Sequence, residues 1–210
     1  KLVIPNIIED RIKEVDAIAD VINKIANEDI IKMPLSTRAE GGDVMPCNEY
    51  VFVGYSEKKD FEKYTVARTN KSALDFLTLT FPNKIVKGFE LKKSDIDPRE
   101  NALHLDCCFQ PVGKKIAIIH KGGFKHSADV NFLVNYFGKE NIIEVSKEEM
   151  YNMNSNVFSI SEEVIVSEKG FVRLNTELRK RGFSVEEVAY AEIAKMEGLL
   201  RCSTMPLIRD

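Results

Sequence analysis

Cys202 stands where a short apolar run meets a polar junction, Gly198-Leu199-Leu200-Arg201-Cys202-Ser203-Thr204-Met205-Pro206. A thiol there is a candidate nucleophile if a general acid or base and a fixed charge are brought to it. Alone it reads as readily as core packing, since free cysteine is among the most buried residue types. Two other polar clusters supply the partners such a nucleophile needs. In His104-Leu105-Asp106, read as part of a strand Ala102 to Leu105, the imidazole and the carboxylate face the same way while Leu103 and Leu105 cover the other face. The plainer reading is a surface histidine beside an acid. In Glu40-Gly41-Gly42-Asp43 a turn accounts for the glycines and Asp43, but not for Glu40, whose carboxylate could orient an imidazole as the acid of a triad does. The sequence-level expectation is that the three segments converge.

Composition narrows the class. The chain has 210 residues, of which 44% are hydrophobic and 30% charged, as in an ordinary globular domain with its own core. Net charge is −3 with acids and bases interspersed, so no basic footprint for a nucleic acid is present. No apolar run approaches the roughly 18 residues of a membrane span. The four cysteines, Cys47, Cys107, Cys108 and Cys202, form no C-x-x-C pair, which argues against structural zinc and for a reducing, cytoplasmic setting. On a strand, Cys107 and Cys108 point to opposite faces. His120 and His126 flank Gly122-Gly123 without a third metal ligand, and no G-x-G-x-x-G or P-loop occurs, so neither a metal nor a cofactor is expected. Glu57-Lys58-Lys59-Asp60 and Arg179-Lys180-Arg181 read as solvated faces.

The elements that must position these residues follow from periodicity. Ile12, Val15, Ile18, Ala19, Ile22 and Ile25 recur at helical spacing over Asp10 to Ala26, with Asp10 as N-cap. Strands are expected at Leu2 to Ile4, Asp29 to Met33, Tyr50 to Tyr55, Ile85 to Leu91, Ala102 to Leu105 and Ile116 to Ile119. Further strands are expected at Asn141 to Val145, Val157 to Ile160, Glu163 to Val166 and Ser184 to Val188. Helices are expected at Thr69 to Thr80, Ser127 to Phe137 with Ser127 as cap, Phe171 to Arg181 and Ala191 to Met196. The chain thus reads strand, strand, helix, strand several times over, with helix starts roughly 45 to 60 residues apart. Repetition of that unit suggests strands set radially about an axis, as in a propeller. Three fairly complete units, a half unit at the start and a closing strand at the end are counted.

Glu40-Gly41-Gly42-Asp43, Arg68-Thr69-Asn70, His104-Leu105-Asp106 and Arg201-Cys202-Ser203-Thr204-Met205-Pro206-Leu207 appear in the order seen in guanidine-modifying enzymes. Over essentially its whole length the chain resembles the amidinotransferase and arginine deiminase superfamily. That resemblance implies an α/β fold, the five-unit alpha/beta propeller of the penteins. It also implies Cys202 as the nucleophile that forms a covalent S-amidino intermediate on arginine or a close analogue, and His104 as the acid that protonates the departing amine. Glu40 orients the histidine on this reading, and Asp106 grips the guanidinium by charge-assisted hydrogen bonds. Arg68 is a candidate for the substrate's carboxylate, Asp43 joins the substrate-binding set, and Arg201 lowers the thiol pKa or holds substrate. The free thiol is expected to be quiet until the substrate cation favours the thiolate.

Within the superfamily, His-Leu-Asp resembles the deiminases and amidinotransferases more than the dimethylarginine hydrolases, and Met205-Pro206-Leu207 leans to the deiminases. The family's Phe-x-Arg-Asp motif does not precede the first strand, so a single domain with its N-terminal unit missing is expected. The leading expectation is an amidinotransferase, with a hydrolase giving citrulline and ammonia as the alternative. A non-catalytic binding protein on the same scaffold and a redox-sensing thiol protein are the readings from other classes. The expected partner is a small guanidino molecule, with no nucleic acid and no membrane, and a homo-oligomer is compatible with the sequence.

Overall fold

The computed structural model describes residues 1–196 and 198–206, so the expected role of Leu207 lies outside the described residues. The chain divides into two compact units, Lys1–Phe89 and Glu90–Asp210.

In the first unit, β1 (Leu2–Ile4) runs parallel to β2 (Ile30–Lys32), with α1 (Lys13–Ala17) and α2 (Ala19–Ile22) between them. β3 (Val44–Cys47) pairs antiparallel with β4 (Tyr50–Tyr55) across a tight turn in which Asn48 takes φ 51°, a conformation asparagine tolerates. β5 (Ile85–Glu90) is the third strand of that sheet and follows α3 (Lys58–Lys63) and α4 (Ser72–Thr80). Val51, Val53 and Leu77 pack together behind the sheet, and the Phe52 and Phe89 rings meet at 5.5 Å.

The second unit repeats this plan twice. The short helix α5 (Leu105–Cys108) leads into β6 (Phe109–Val112), which pairs antiparallel with β7 (Ile116–Ile119). The helix α6 (Ser127–Phe137) then crosses over to β8 (Ile142–Glu144), parallel to β7. After α7 (Lys147–Tyr151), β9 (Phe158–Ser159) and β10 (Val164–Glu168) pair antiparallel. The helix α8 (Val172–Lys180) returns the chain to β11 (Ser184–Val188), parallel to β10, and α9 (Ala191–Ala194) follows. Such central strands, covered on both faces, read as continuous apolar runs, and Ala117, Ile118 and Ile119 are wholly buried. Leu174 and Leu178 bury the α8 stripe against Val112, Ile118, Ile143 and Ile165, and Leu199 and Leu200 close the same core. That burial anchors the segment carrying Cys202.

Three strand-strand-helix-strand units and a leading half unit are therefore present among the described residues, as the periodicity implies. The departures are local. The expected helix Asp10 to Ala26 is a 3-10 turn, Glu9–Arg11, followed by α1 and α2. Neither α1 nor α2 buries a residue, and without burial short helices gain too little to fuse into one. Asp10 lies within the turn, and Ile8 occupies its N-cap position. Ser127 is the first helical residue of α6, and His126 precedes it without a side-chain cap. The expected strand at Ala102 to Leu105 does not form. His104 is extended (φ −133°, ψ 171°) and Leu105 starts α5, so Asp106, Cys107 and Cys108 lie on a helical turn. Cys107 and Cys108 are both buried rather than split between two faces. Residues 198–206 form a turn and not a closing strand, since Ser203 N–H donates to Leu199 O at 3.1 Å and Thr204 N–H to Arg201 O at 3.3 Å.

Candidate active site

In the second unit the turn at residues 200–203 and the helix α5 meet over one carboxylate. Asp106 is fully buried, and its Oδ2 accepts from Arg201 Nη1 at 2.9 Å. The same oxygen lies 3.6 Å from Cys202 Sγ, while Oδ1 lies 3.8 Å from Cys107 Sγ. The guanidinium, carboxylate and thiol thus come together from positions 95 and 96 residues apart in sequence.

Asn156 is the fourth member, and it is wholly buried. Its Oδ1 accepts from the backbone N–H groups of Arg201 (3.0 Å) and Cys202 (3.2 Å), and its Nδ2 donates to Cys202 Sγ at 3.2 Å. The loop that carries it begins at Met153, whose φ of 66° takes the left-handed position that commonly ends a helix, here α7. Glycine is usual there, and a buried methionine holds the place instead. The run Asn152-Met153-Asn154-Ser155-Asn156 was the available signal for this residue. Composition alone makes it a loop, and only burial shows that the Asn154 and Asn156 amides face inward.

Cys202 is exposed as a residue, yet its thiol pKa is pushed up to about 11. Burial of the sulfur is the main cause and Asp106 the second. A hydrogen bond from the backbone of Leu199, the Asn156 amide and the Arg201 charge act in the opposite direction without overcoming them. The Arg201 charge thus acts to lower the thiol pKa, while its guanidinium is engaged by Asp106. The thiolate fraction in the free protein is small at neutral pH and rises with pH. Alkylation of Cys202 by iodoacetamide, followed by peptide mass spectrometry, is expected to accelerate about tenfold per pH unit. It is expected to level off only near pH 11. A plateau near neutrality would contradict this and favour a redox-sensing thiol.

His104 is buried and directly precedes α5. Its approach is fixed by Lys93, a residue the sequence reading passed over. Lys93 is 8% exposed, and its ammonium donates to the carbonyls of Ala102 and Leu103, both at 2.7 Å. Those bonds occupy the acceptors that a strand at Ala102 to Leu105 would have used. Ala102 N–H donates to Lys92 O at 3.0 Å, and Ser94 N–H to Asn101 Oδ1 at 3.4 Å, so residues 93–102 form a closed loop. Lys93→Met is expected to leave two carbonyls without their donor and cost about 2–4 kcal/mol of stability, measured by denaturant unfolding. Unchanged unfolding would contradict that role.

The other candidate residues lie in the first unit. Glu40 is 4% exposed and faces two guanidinium groups, Arg11 Nη1 at 2.5 Å and Arg68 Nη1 at 3.6 Å. Arg11 was not singled out from sequence, where it falls at the start of the expected helix Asp10 to Ala26. Asp43 is buried and accepts from Thr69 Oγ1 at 2.6 Å, and that hydroxyl also accepts from Glu40 N–H at 3.1 Å. Arg38 N–H donates to Asn70 Oδ1, and Asn70 N–H to Arg38 O, both at 3.1 Å. The Glu40 turn and the Arg68-Thr69-Asn70 segment therefore form one network within that unit. Of the two histidines beside Gly122-Gly123, His120 pairs through Nδ1 with Val145 O, and His126 through Nε2 with Glu90 at 2.8 Å. Among the described residues no group of three potential metal ligands forms, and no helix is long and apolar enough to cross a membrane.

A family model described as N,N dimethylarginine dimethylhydrolase, eukaryotic, matches residues 2–209. The chain belongs to this family. The superfamily resemblance of the sequence is borne out, while the leaning of His-Leu-Asp away from the dimethylarginine hydrolases is corrected. That leaning rested on the likeness of a three-residue motif, whereas the family model matches over residues 2–209.

Relatives include the uncharacterized protein YkgA of Bacillus subtilis, 33% identical over 175 residues (83% of this chain, 54% of YkgA). An arginine deiminase of Listeria welshimeri is 28% identical over 203 residues (81% of this chain, 47% of the deiminase). The chain thus spans about half the length of the curated relatives it matches. Among solved structures, the N-terminal domain of ArgZ, an arginine dihydrolase of Cyanobacteria bound to substrate, has a TM-score of 0.75. It is 18% identical, and the match covers 95% of this chain and 68% of that one. The dimethylarginine hydrolase of Pseudomonas aeruginosa complexed with citrulline has a TM-score of 0.74 at 19% identity, covering 95% and 68%. At these identities the likeness shows the fold, the α/β fold of the penteins.

Proposed function

We propose that this member of the dimethylarginine hydrolase family is a cysteine hydrolase of arginine or an N-methylated arginine, with Cys202 as nucleophile. The observation that carries the reading is Cys202 Sγ held 3.6 Å from the fully buried Asp106 carboxylate. A guanidinium is resonance-stabilised and a poor electrophile, so it reacts only when fixed close to the thiol. Asp106 supplies that fixation through charge-assisted hydrogen bonds, and in the free protein Arg201 occupies the carboxylate with a guanidinium of its own.

In the reaction the thiolate forms a bond to the guanidine carbon. The resulting tetrahedral adduct then breaks a C–N bond and expels ammonia or a methylamine, which takes a proton from His104. Water, deprotonated by His104, adds to the same carbon, and the thiolate leaves to give citrulline. The bound cation also favours the thiolate, so a thiol that is quiet in the free protein becomes nucleophilic beside substrate. Water rather than an amine is proposed as acceptor because the matching family model and the ArgZ domain carry names that state a hydrolase. This departs from the leading sequence-level expectation of transfer to an amine.

The test is citrulline release from L-arginine and from asymmetric dimethylarginine, with glycine added in a parallel reaction. Citrulline without a guanidinoacetate product supports hydrolysis. Guanidinoacetate would reinstate transfer, and no turnover of either substrate counts against the assignment.

A further inference from the structure

We infer that Asn156 is a further catalytic residue, whose side-chain N–H donates to Cys202 Sγ and stabilises the thiolate as it forms. This inference rests on the cysteine-nucleophile reading above and extends it to a residue that reading does not use.

The orientation of the Asn156 amide decides the matter. An amide side chain offers one acceptor and one NH₂ donor, and their assignment follows from the surrounding hydrogen bonds. Here two backbone N–H groups, those of Arg201 and Cys202, point at the same side-chain atom from 3.0 and 3.2 Å. Both are donors, so that atom must be the oxygen. The nitrogen is then the atom 3.2 Å from Cys202 Sγ. A flipped amide would set the NH₂ of a fully buried side chain against two N–H donors.

The amide is also fixed in place. Asn156 N–H donates to Met153 O at 2.9 Å, and Asn156 O accepts from Arg201 N–H at 3.4 Å. One residue therefore shapes the turn that presents the thiol and aims a donor at its sulfur. A donor held in place before the reaction needs no reorganisation when negative charge develops there, which is the condition for electrostatic stabilisation. The other groups at the sulfur are Asp106, which opposes the thiolate, the backbone of Leu199, which favours it through a hydrogen bond, and Arg201, which favours it but is paired with Asp106. Asn156 supplies a side-chain donor directly to Sγ in this arrangement.

The test uses the substrate-free protein, so its outcome does not depend on which guanidine reacts, or on whether any does. Iodoacetamide labelling of Cys202 at pH 9 is followed by peptide mass spectrometry in the wild type, Asn156→Ala and Asn156→Asp. Far below the thiol pKa, this rate is proportional to the thiolate fraction. Loss of a hydrogen bond to a charged group predicts labelling slower by at least about tenfold in Asn156→Ala, although that variant opens space around the sulfur. Asn156→Asp keeps the shape and the acceptors for both N–H groups, and a larger drop is expected. Labelling as fast as or faster than wild type in the folded variants would overturn the inference. A purely structural role for Asn156 would lower the melting temperature and leave the labelling rate unchanged. Failure of the guanidine reaction with the labelling difference intact would count against the function and not against this donor.

Discussion

Asp106→Asn is expected to make Cys202 more reactive toward iodoacetamide while nearly abolishing turnover of a guanidine substrate. These opposite signs follow from the two tasks of one carboxylate. In the free protein Asp106 is the second cause, after burial, of the raised thiol pKa, so neutralising it increases the thiolate fraction at any pH below about 11. Labelling at pH 8 should rise by roughly threefold to tenfold, since burial remains. Turnover moves the other way, because a neutral amide cannot grip a guanidinium through paired charge-assisted bonds. A loss of about a thousandfold or more is expected, the scale of removing a principal electrostatic contact. The variant also leaves Arg201 without its carboxylate partner, and because Arg201 is 19% exposed, water can take up part of that loss. A melting curve verifies that the folded protein is being compared. Parallel loss of labelling and turnover would mean that Asp106 organises the site rather than binding the substrate cation.

Cys202→Ala carries the second large effect. If the reaction passes through a bond to Sγ, no neighbouring group replaces it. Cys107 is buried and its thiol is pushed well above the ordinary range, chiefly by burial and then by Asp106. The expected loss in kcat is at least about 10⁴-fold, as for nucleophiles in comparable covalent mechanisms. Little effect on stability is expected, because the residue as a whole is exposed while Leu199 and Leu200 anchor the turn. Activity within tenfold of wild type, measured as citrulline release, would contradict nucleophilic catalysis by this residue.

The legible parts of the fold were the elements with strong periodicity or continuous burial. Tyr50–Tyr55, Ile116–Ile119 and Ser127–Phe137 lie where the apolar pattern places them, because burial on both faces or along one stripe leaves a sequence trace. The repeat of hairpin, helix and parallel strand follows from those elements. The stretch around His104 was misread because a four-residue helix has no period to detect. Its conformation is set by the Lys93 ammonium, about ten residues away in sequence. The site was legible as residue types and not as geometry. Cys202 and Asp106 could be named from motifs, but Arg201 pairing with Asp106 is a contact across 95 residues. Asn156 was hidden for a related reason. Its run of asparagines has the composition of an exposed turn, and its role appears only once its amide is seen between two backbone N–H groups and the sulfur.

The central claim is that Cys202 Sγ bonds covalently to the guanidine carbon, and intact-mass spectrometry after acid quenching tests it most directly. The protein would be mixed with L-arginine or asymmetric dimethylarginine, quenched within one turnover, and compared with Cys202→Ala. The account predicts a mass increase equal to the substrate less its departing amine, absent in the variant. An increase of an amidino group alone would keep the nucleophile but indicate transfer instead of hydrolysis. No adduct with either substrate, or an adduct that persists in Cys202→Ala, would contradict the account.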